Sequence, residues 1–188
     1  KVSSPEKAVA NRRLLEELVP SKVSPELLLS VLRLLLAERV SVRNLPVIIE
    51  AIAEQRETGH GADDIAEHVR RRLSAQITAE MKRPDGTLPL IQLSPDWEAA
   101  FERYQLDGAT GRGDVALPPD MFQKLAIGLA QSIGQAAEQG NHAAIVTSAR
   151  RRRFVHDIMA ARGLPNPVIA YEEIGPATTP AILGSVAA

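Results

Sequence analysis

Four consecutive arginines, Arg150–Arg153, and a carboxylate pair, Glu172-Glu173, stand out as groups that could do chemistry. Guanidinium clusters bind phosphate or carboxylate through their planar forks. A carboxylate pair is the raw material of general acid–base catalysis. The arginine run falls in the first turn of an expected helix, where the dipole disfavours exposed cations by a few tenths of a kcal/mol each. Two uses stay open for it: a solvated face with one member pairing Glu172 or Glu173, or a contact with an anion or an acidic partner. Glu172 and Glu173 read as neighbours at a strand end, which face opposite ways. An acid–base site there needs a third group that the sequence does not offer.

The remaining chemical signals are weaker. The histidines are His60, His68, His142 and His156. No two lie at i, i+4 on one helix and there is no cysteine, so no metal site is expected. His60 and His142 read as loop positions, His68 and His156 as solvated helix positions. The stretch GATGRG (108–113) lacks the Gly-Lys-Ser/Thr ending of a phosphate loop, and no strand leads into it. It reads as a surface loop, and Arg112-Gly113-Asp114 within it as a chance tripeptide. No strand–turn–helix elbow presents a nucleophile. Catalysis, a metal and a cofactor are therefore not expected.

The bulk properties agree. The chain has 188 residues, a net charge of −1, 24% charged residues and 3% aromatics. Near-neutral charge and few aromatics argue against nucleic acid as a partner. No apolar run approaches the roughly 18 residues of a membrane span. A chain of this length buries roughly 70% of its unfolded surface without staples.

The elements that must position these groups fall into two halves. Helices are expected at Pro5 to Leu18, at Pro25 to about Arg39 with Ser24 as cap, and at Asn44 to about Gln55. A fourth starts at Asp63-Asp64, with Ile65, Val69, Leu73 and Ile77 on one face. On the second helix Leu27, Leu28, Val31, Leu32 and Leu35 make one apolar stripe, and Leu29 and Leu36 lie off it. Between the second and third helices the stretch ERVSVRN breaks the pattern, because Val40, Ser41 and Val42 are poor helix formers. Asn44 then serves as N-cap and Pro46 sits in the first turn. After a turn at Arg83 to Thr87 the pattern changes. Strands are expected at Leu88–Leu93, Ala143–Ser148, Asn166–Tyr171 and Pro180–Val186. Helices are expected at Pro95 to Tyr104, from Pro118-Pro119 to Glu138, and after Ser148 to Arg162. The 143–171 stretch reads as a parallel crossover unit. The expectation is a mixed α+β chain: an all-helical subdomain over 1–83, then a small α/β subdomain over 84–188.

The segment LVPSKVSPELLLSVLRLLLAERVSVRNLPVIIEAIAE resembles the signature in the cytoplasmic domain of the type III secretion and flagellar export gate family. The matching features are Val19-Pro20, the Leu-rich helix, Glu38, VSVR with Arg43, and IIEAIAE with Glu50. HVRRRLSAQI with Arg70, Leu73 and Ile77 follows, then LIQLSPDWE, SARRRRF with Arg151 and YEEIGP with Glu173, in the family's order. Ala170 stands where many members carry serine.

The resemblance implies the C-terminal part of a cytoplasmic domain, at the cytoplasmic face of the bacterial inner membrane. It implies a non-enzymatic homo-oligomeric ring, a nonamer, that docks export chaperone–cargo complexes and other export apparatus proteins. Membrane attachment would come only through N-terminal parts of the parent, and flagellar membership is favoured over injectisome. Within that frame Arg43 can either clamp Glu38 or Glu50 and lock the corner, or reach a neighbouring subunit. Leu29 and Leu36 are apolar candidates for the same interface, and Arg151 and Glu173 are candidates for partner contact. The alternatives are a small α/β enzyme with Arg151 and Glu173 in a cleft between the subdomains, and a helical adaptor that forms no ring.

Overall fold

The computed structural model describes residues 19, 21–55, 61–106 and 114–188. The helix expected at Pro5 to Leu18, His60 and the GATGRG loop lie outside the described residues. The chain divides into two compact units, Lys1–Ile77 and Thr78–Ala188.

The described part of the first unit is helical: α1 (Pro25–Ala37), α2 (Leu45–Glu54), α3 (Ala62–Arg72) and α4 (Ser74–Met81), within which the unit boundary falls. Ser24 caps α1 by accepting the Leu27 N–H at 3.2 Å, with Pro25 in the first turn. Val31 and Leu35 on α1 are fully buried with Ile48, Ile49 and Ile52 of α2 and Ile65 and Val69 of α3. Of the stripe expected on α1, Val31 and Leu35 are buried and Leu27, Leu28 and Leu32 half-buried.

Three local expectations are corrected. First, α1 stops at Ala37 and does not continue to Arg39, because Arg39 turns left-handed at φ 58°. The Val40 N–H reaches the Leu35 carbonyl and the Arg39 N–H reaches the Leu36 carbonyl, each at 2.9 Å. This is a Schellman ending, and buried Val40 and Leu35 supply its apolar contact. Second, the single helix expected from Asp63 onward is broken at Leu73, although Ile65, Val69, Leu73 and Ile77 are all buried as their spacing required. Third, Asn44 occupies the N-cap position of α2 without a side-chain capping bond.

The second unit is a four-stranded parallel sheet, β1 (Thr87–Leu93), β2 (Ala144–Thr147), β3 (Val168–Ala170) and β4 (Thr179–Val186), in the order β3-β2-β1-β4. Its helices are α5 (Pro95–Arg103), α6 (Pro119–Glu138) and α7 (Ala149–Ala161). The crossover expected at 143–171 is β2–α7–β3, with Ile145 opposite Val168. Pro89 sits in β1 where only β4 flanks it, since pairing with β2 begins at Leu90; a ring without an N–H is tolerated at such a position. In β4, Leu183 is an extra residue between the pairs Leu90–Ile182 and Ile91–Gly184, a bulge. Ile91, Trp97, Phe101, Leu125, Leu129, Ile145, Val155 and Met159 make the core. Gly128 lets α6 approach β4 closely: a Cβ there would lie 2.7 Å from Val186 Cγ1. β3 ends at Ala170, and Tyr171–Glu173 form a 3₁₀ turn, not the strand end expected.

Candidate interaction site

The corner after α1 is the part of the first unit that the sequence singled out. Packing of α3 against α1 brings Arg70 to Glu38, Nη1 to Oε2 at 2.9 Å, with side chains 5% and 17% exposed. A largely dry, charge-assisted pair of this kind is strong in both energy and geometry. Gln76 Nε2 adds a 2.8 Å bond to the Ser41 carbonyl, fixing the same connection. The lock expected of Arg43 therefore belongs to Arg70. Arg43 and Glu50 are exposed and make no ion pair or hydrogen bond among the described residues. The reason is long-range: once Arg39 turns the chain, Glu38 faces α3 and its carboxylate is taken by a residue far along the sequence.

The exposed side of α1 carries Leu29, 48% exposed, and Leu36, 56% exposed. Arg33, also exposed, stands between them at i+4 and i−3. These three share one helix face, opposite the buried Val31 and Leu35. Arg33 was overlooked in the sequence, although its spacing from the two leucines was there to be read.

At the other end of α2, Glu54 meets α3. His68 Nε2 lies 2.8 Å from Glu54 Oε2, and Arg72 Nη1 pairs with Glu54 Oε1. The hydrogen bond from His68, then that from Arg72, hold the Glu54 carboxyl below the usual carboxylate range. His68 is thus a bonded, half-buried residue, not the solvated position expected.

In the second unit the arginine run is solvated only in part: Arg150 is exposed and Arg153 half-buried, while its two middle members are interior. Arg151 and Arg152 are both 0% exposed. Arg151 donates from Nε to Glu98 at 3.2 Å and from Nη2 to Gln105 at 3.0 Å, and its guanidinium lies 5.9 Å from the Phe101 ring centroid. Arg152 donates to the Val168 carbonyl at 3.4 Å. Glu173, 2% exposed, accepts the Ala170 N–H at 2.8 Å. Glu172 accepts the Ala149 N–H at 3.2 Å and so serves the positive end of α7. Arg151 and Glu173, expected as partner contacts, are interior groups that tie α7, α5 and the β3 turn together. What lies open nearby is a cavity of about 300 Å³ at the ends of β1 and β2, lined by Ser94, Glu98, Phe101, Ser148 and Tyr171 among others. Burial, then the Glu98 charge, push the Tyr171 phenol up. Glu98 already accepts from Arg151 beside the cavity and Glu172 from the N–H at the start of α7, so an exogenous anion would compete with internal carboxylates. Among the described residues no group of three or more His, Asp or Glu side chains is placed to hold a metal ion. No helix among them is long and apolar enough to cross a membrane.

Comparison with known proteins agrees with this architecture. Residues 6–179 match the FHIPEP family. The flagellar biosynthesis protein FlhA of Caulobacter vibrioides is 34% identical over 168 residues, 88% of this chain and 23% of that protein. FlhA of Bacillus subtilis is 29% identical over 164 residues, 86% of this chain and 24% of that protein. The chain thus spans about a quarter of the length of these curated relatives. Among solved structures, the Shigella flexneri MxiA protein superposes with a TM-score of 0.78 at 25% identity, covering 96% of this chain and 57% of that one. Nonameric EPEC SctV-C gives 0.77 at 19% identity, covering 96% and 53%, and the Chlamydia pneumoniae CdsV and CdsO complex gives 0.77 at 21%, covering 96% and 52%. At those two identities the likeness is one of fold. With the sequence match running through both units and the same fold in the solved relatives, this chain belongs to the FHIPEP family.

Proposed function

We propose that the chain is part of a non-enzymatic platform of a type III protein export gate, flagellar rather than injectisome, at the cytoplasmic face of the bacterial inner membrane. Copies assemble into a ring, and the ring docks export chaperone–cargo complexes and other export apparatus proteins. Family membership supports the platform, and the nonameric SctV-C neighbour supports a ring of copies. The observation that carries the reading for this chain is the outward Leu29–Arg33–Leu36 face of α1, continuous along the chain with the unpaired Arg43 and Glu50. A ring needs two different patches on each subunit, and this face, two exposed leucines with Arg33 between them, suits one of them. Attachment of the parent to a membrane would raise local concentration, so each contact can be weak.

The enzyme alternative has little to stand on, because its polar groups, Arg151 and Glu173, are interior. The adaptor alternative differs in assembly. In the full-length protein, Leu29→Glu combined with Leu36→Glu should abolish ring particles in electron micrographs and stop export. The melting curve of this chain should change little, since exposed substitutions usually shift stability by about 0.5 kcal/mol or less. Rings that form normally in this variant reject the proposed interface. A full-length wild-type protein that sediments as a monomer at every concentration rejects the ring itself in favour of the adaptor.

A further inference from the structure

The polar cluster joining α2 to α3 has an arrangement that only one form of its imidazole can hold. His68 Nε2 faces the Glu54 carboxylate at 2.8 Å. His68 Nδ1 faces two donors, Arg71 Nη2 at 3.3 Å and Gln55 Nε2 at 3.4 Å. A carboxylate needs a donor and two N–H groups need an acceptor, so this bonding selects the neutral ring with its proton on Nε2. Among the described residues the charged groups bonded in this cluster are Glu54 from α2 and Arg71 and Arg72 from α3, with Arg72 on the second Glu54 oxygen. Glu38, at the C-cap of α1, is engaged by Arg70.

We propose that His68 is a proton-operated latch on Arg71. A proton from solvent adds to the Nδ1 lone pair, which is the acceptor both donors use. Gln55 can answer by turning its amide so that the oxygen faces the new N–H. A guanidinium has donors only, so Arg71 has no such answer and must leave. The Nε2–H bond to Glu54 survives and becomes an ion pair, which keeps the ring in place while Arg71 is expelled. The output is a freed guanidinium on the exposed side of α3, beside a newly charged imidazole. Mild acidification thereby creates a surface able to take a carboxylate, at a position filled by an internal bond near neutrality. Imidazoles are the side chains that change charge between about pH 5 and 8.

The test is a side-chain NMR titration of the isotope-labelled chain, following the His68 ring protons and the Arg71 Nε–H and Nη–H signals. The titration covers about pH 8 to 5, the range over which imidazoles change charge. The Arg71 signals should move from their held to their free positions with the same midpoint as the His68 ring. In His68→Gln the amide oxygen can hold Arg71 throughout this range, and the response should vanish. Arg71 signals that stay constant while His68 titrates overturn the proposal, as does an equal response in His68→Gln.

Discussion

If Arg70, and not Arg43, secures the corner after α1, the two arginines should behave very differently when truncated. Removing one partner of a buried ion pair typically costs about 3–5 kcal/mol, because the other charge is left without compensation. Glu38 retains 17% side-chain exposure, so water can recover part of its solvation, and about 2–3 kcal/mol is the fitting expectation for Arg70→Ala. For a cooperative unit of 60–100 residues, 1 kcal/mol corresponds to roughly 4–8 °C, which places the fall in Tm at roughly 10–20 °C. Arg43→Ala, at an exposed and unpaired position, should cost about 0.5 kcal/mol or less. Urea unfolding followed by far-UV circular dichroism measures both, and amide exchange at Val31, Leu35 and Val69 locates the loss. A double-mutant cycle of Arg70→Ala with Glu38→Ala should show a coupling of at least about 1 kcal/mol, within the range for residues in direct contact. A coupling near zero, or an Arg43→Ala loss as large as that of Arg70→Ala, would refute the assignment.

Three further outcomes follow from particular residues. Gly128→Ala should destabilise the second unit, because its Cβ would meet Val186 at 2.7 Å. Overpacking of about 1–3 kcal/mol exceeds the roughly 1 kcal/mol gained in helix propensity, and adding Val186→Ala should recover much of the difference in denaturation midpoint. Arg39→Gly should stabilise the first unit by about 0.5–1 kcal/mol, since φ 58° strains any residue with a Cβ, and calorimetry reads the sign directly. Glu54 is held below its unfolded value by His68 and Arg72, so it contributes stability above the unfolded value of about 4.3 that is lost as pH falls through the lower folded one. With both salt-bridge side chains exposed by about two-fifths the effect is a few tenths of a kcal/mol, visible as a shallower decline of the urea midpoint from pH 5 to 3 in Glu54→Gln.

Elements whose boundaries are set by their own residues were readable in advance. Pro118-Pro119 opens α6 and its end falls at Glu138 as expected. The alternation of apolar strand and periodic helix at 143–171 became β2–α7–β3. The exposure of Leu29 and Leu36 followed from their angular position on a helix. What escaped reading depends on which distant group arrives. Nothing local tells Glu38 that Arg70 will reach it before Arg43. The four arginines look soluble in one dimension, yet Glu98 and the face of Phe101 from α5, with Gln105 just beyond its end, make an interior place for Arg151. The left-handed Arg39 was hidden for a similar reason. Glycine usually marks such an ending, and here the burial of Val40 on Leu35 sustains it without one.

The position of β4 beside β1 bears on how the polypeptide is made. Leu93 finds Val186 and Thr87 finds Thr179, so one flank of β1 stays bare until residues 179–186, some ninety positions downstream, have left the ribosome. At 5–20 residues per second that interval is roughly 5–20 s, during which the nascent hairpin-free sheet offers Leu88, Leu90 and Ile91 to any passing strand. A chain cut short before Thr179 would leave that adhesive margin uncovered permanently, so closure of the sheet hinges on residues far downstream of β1.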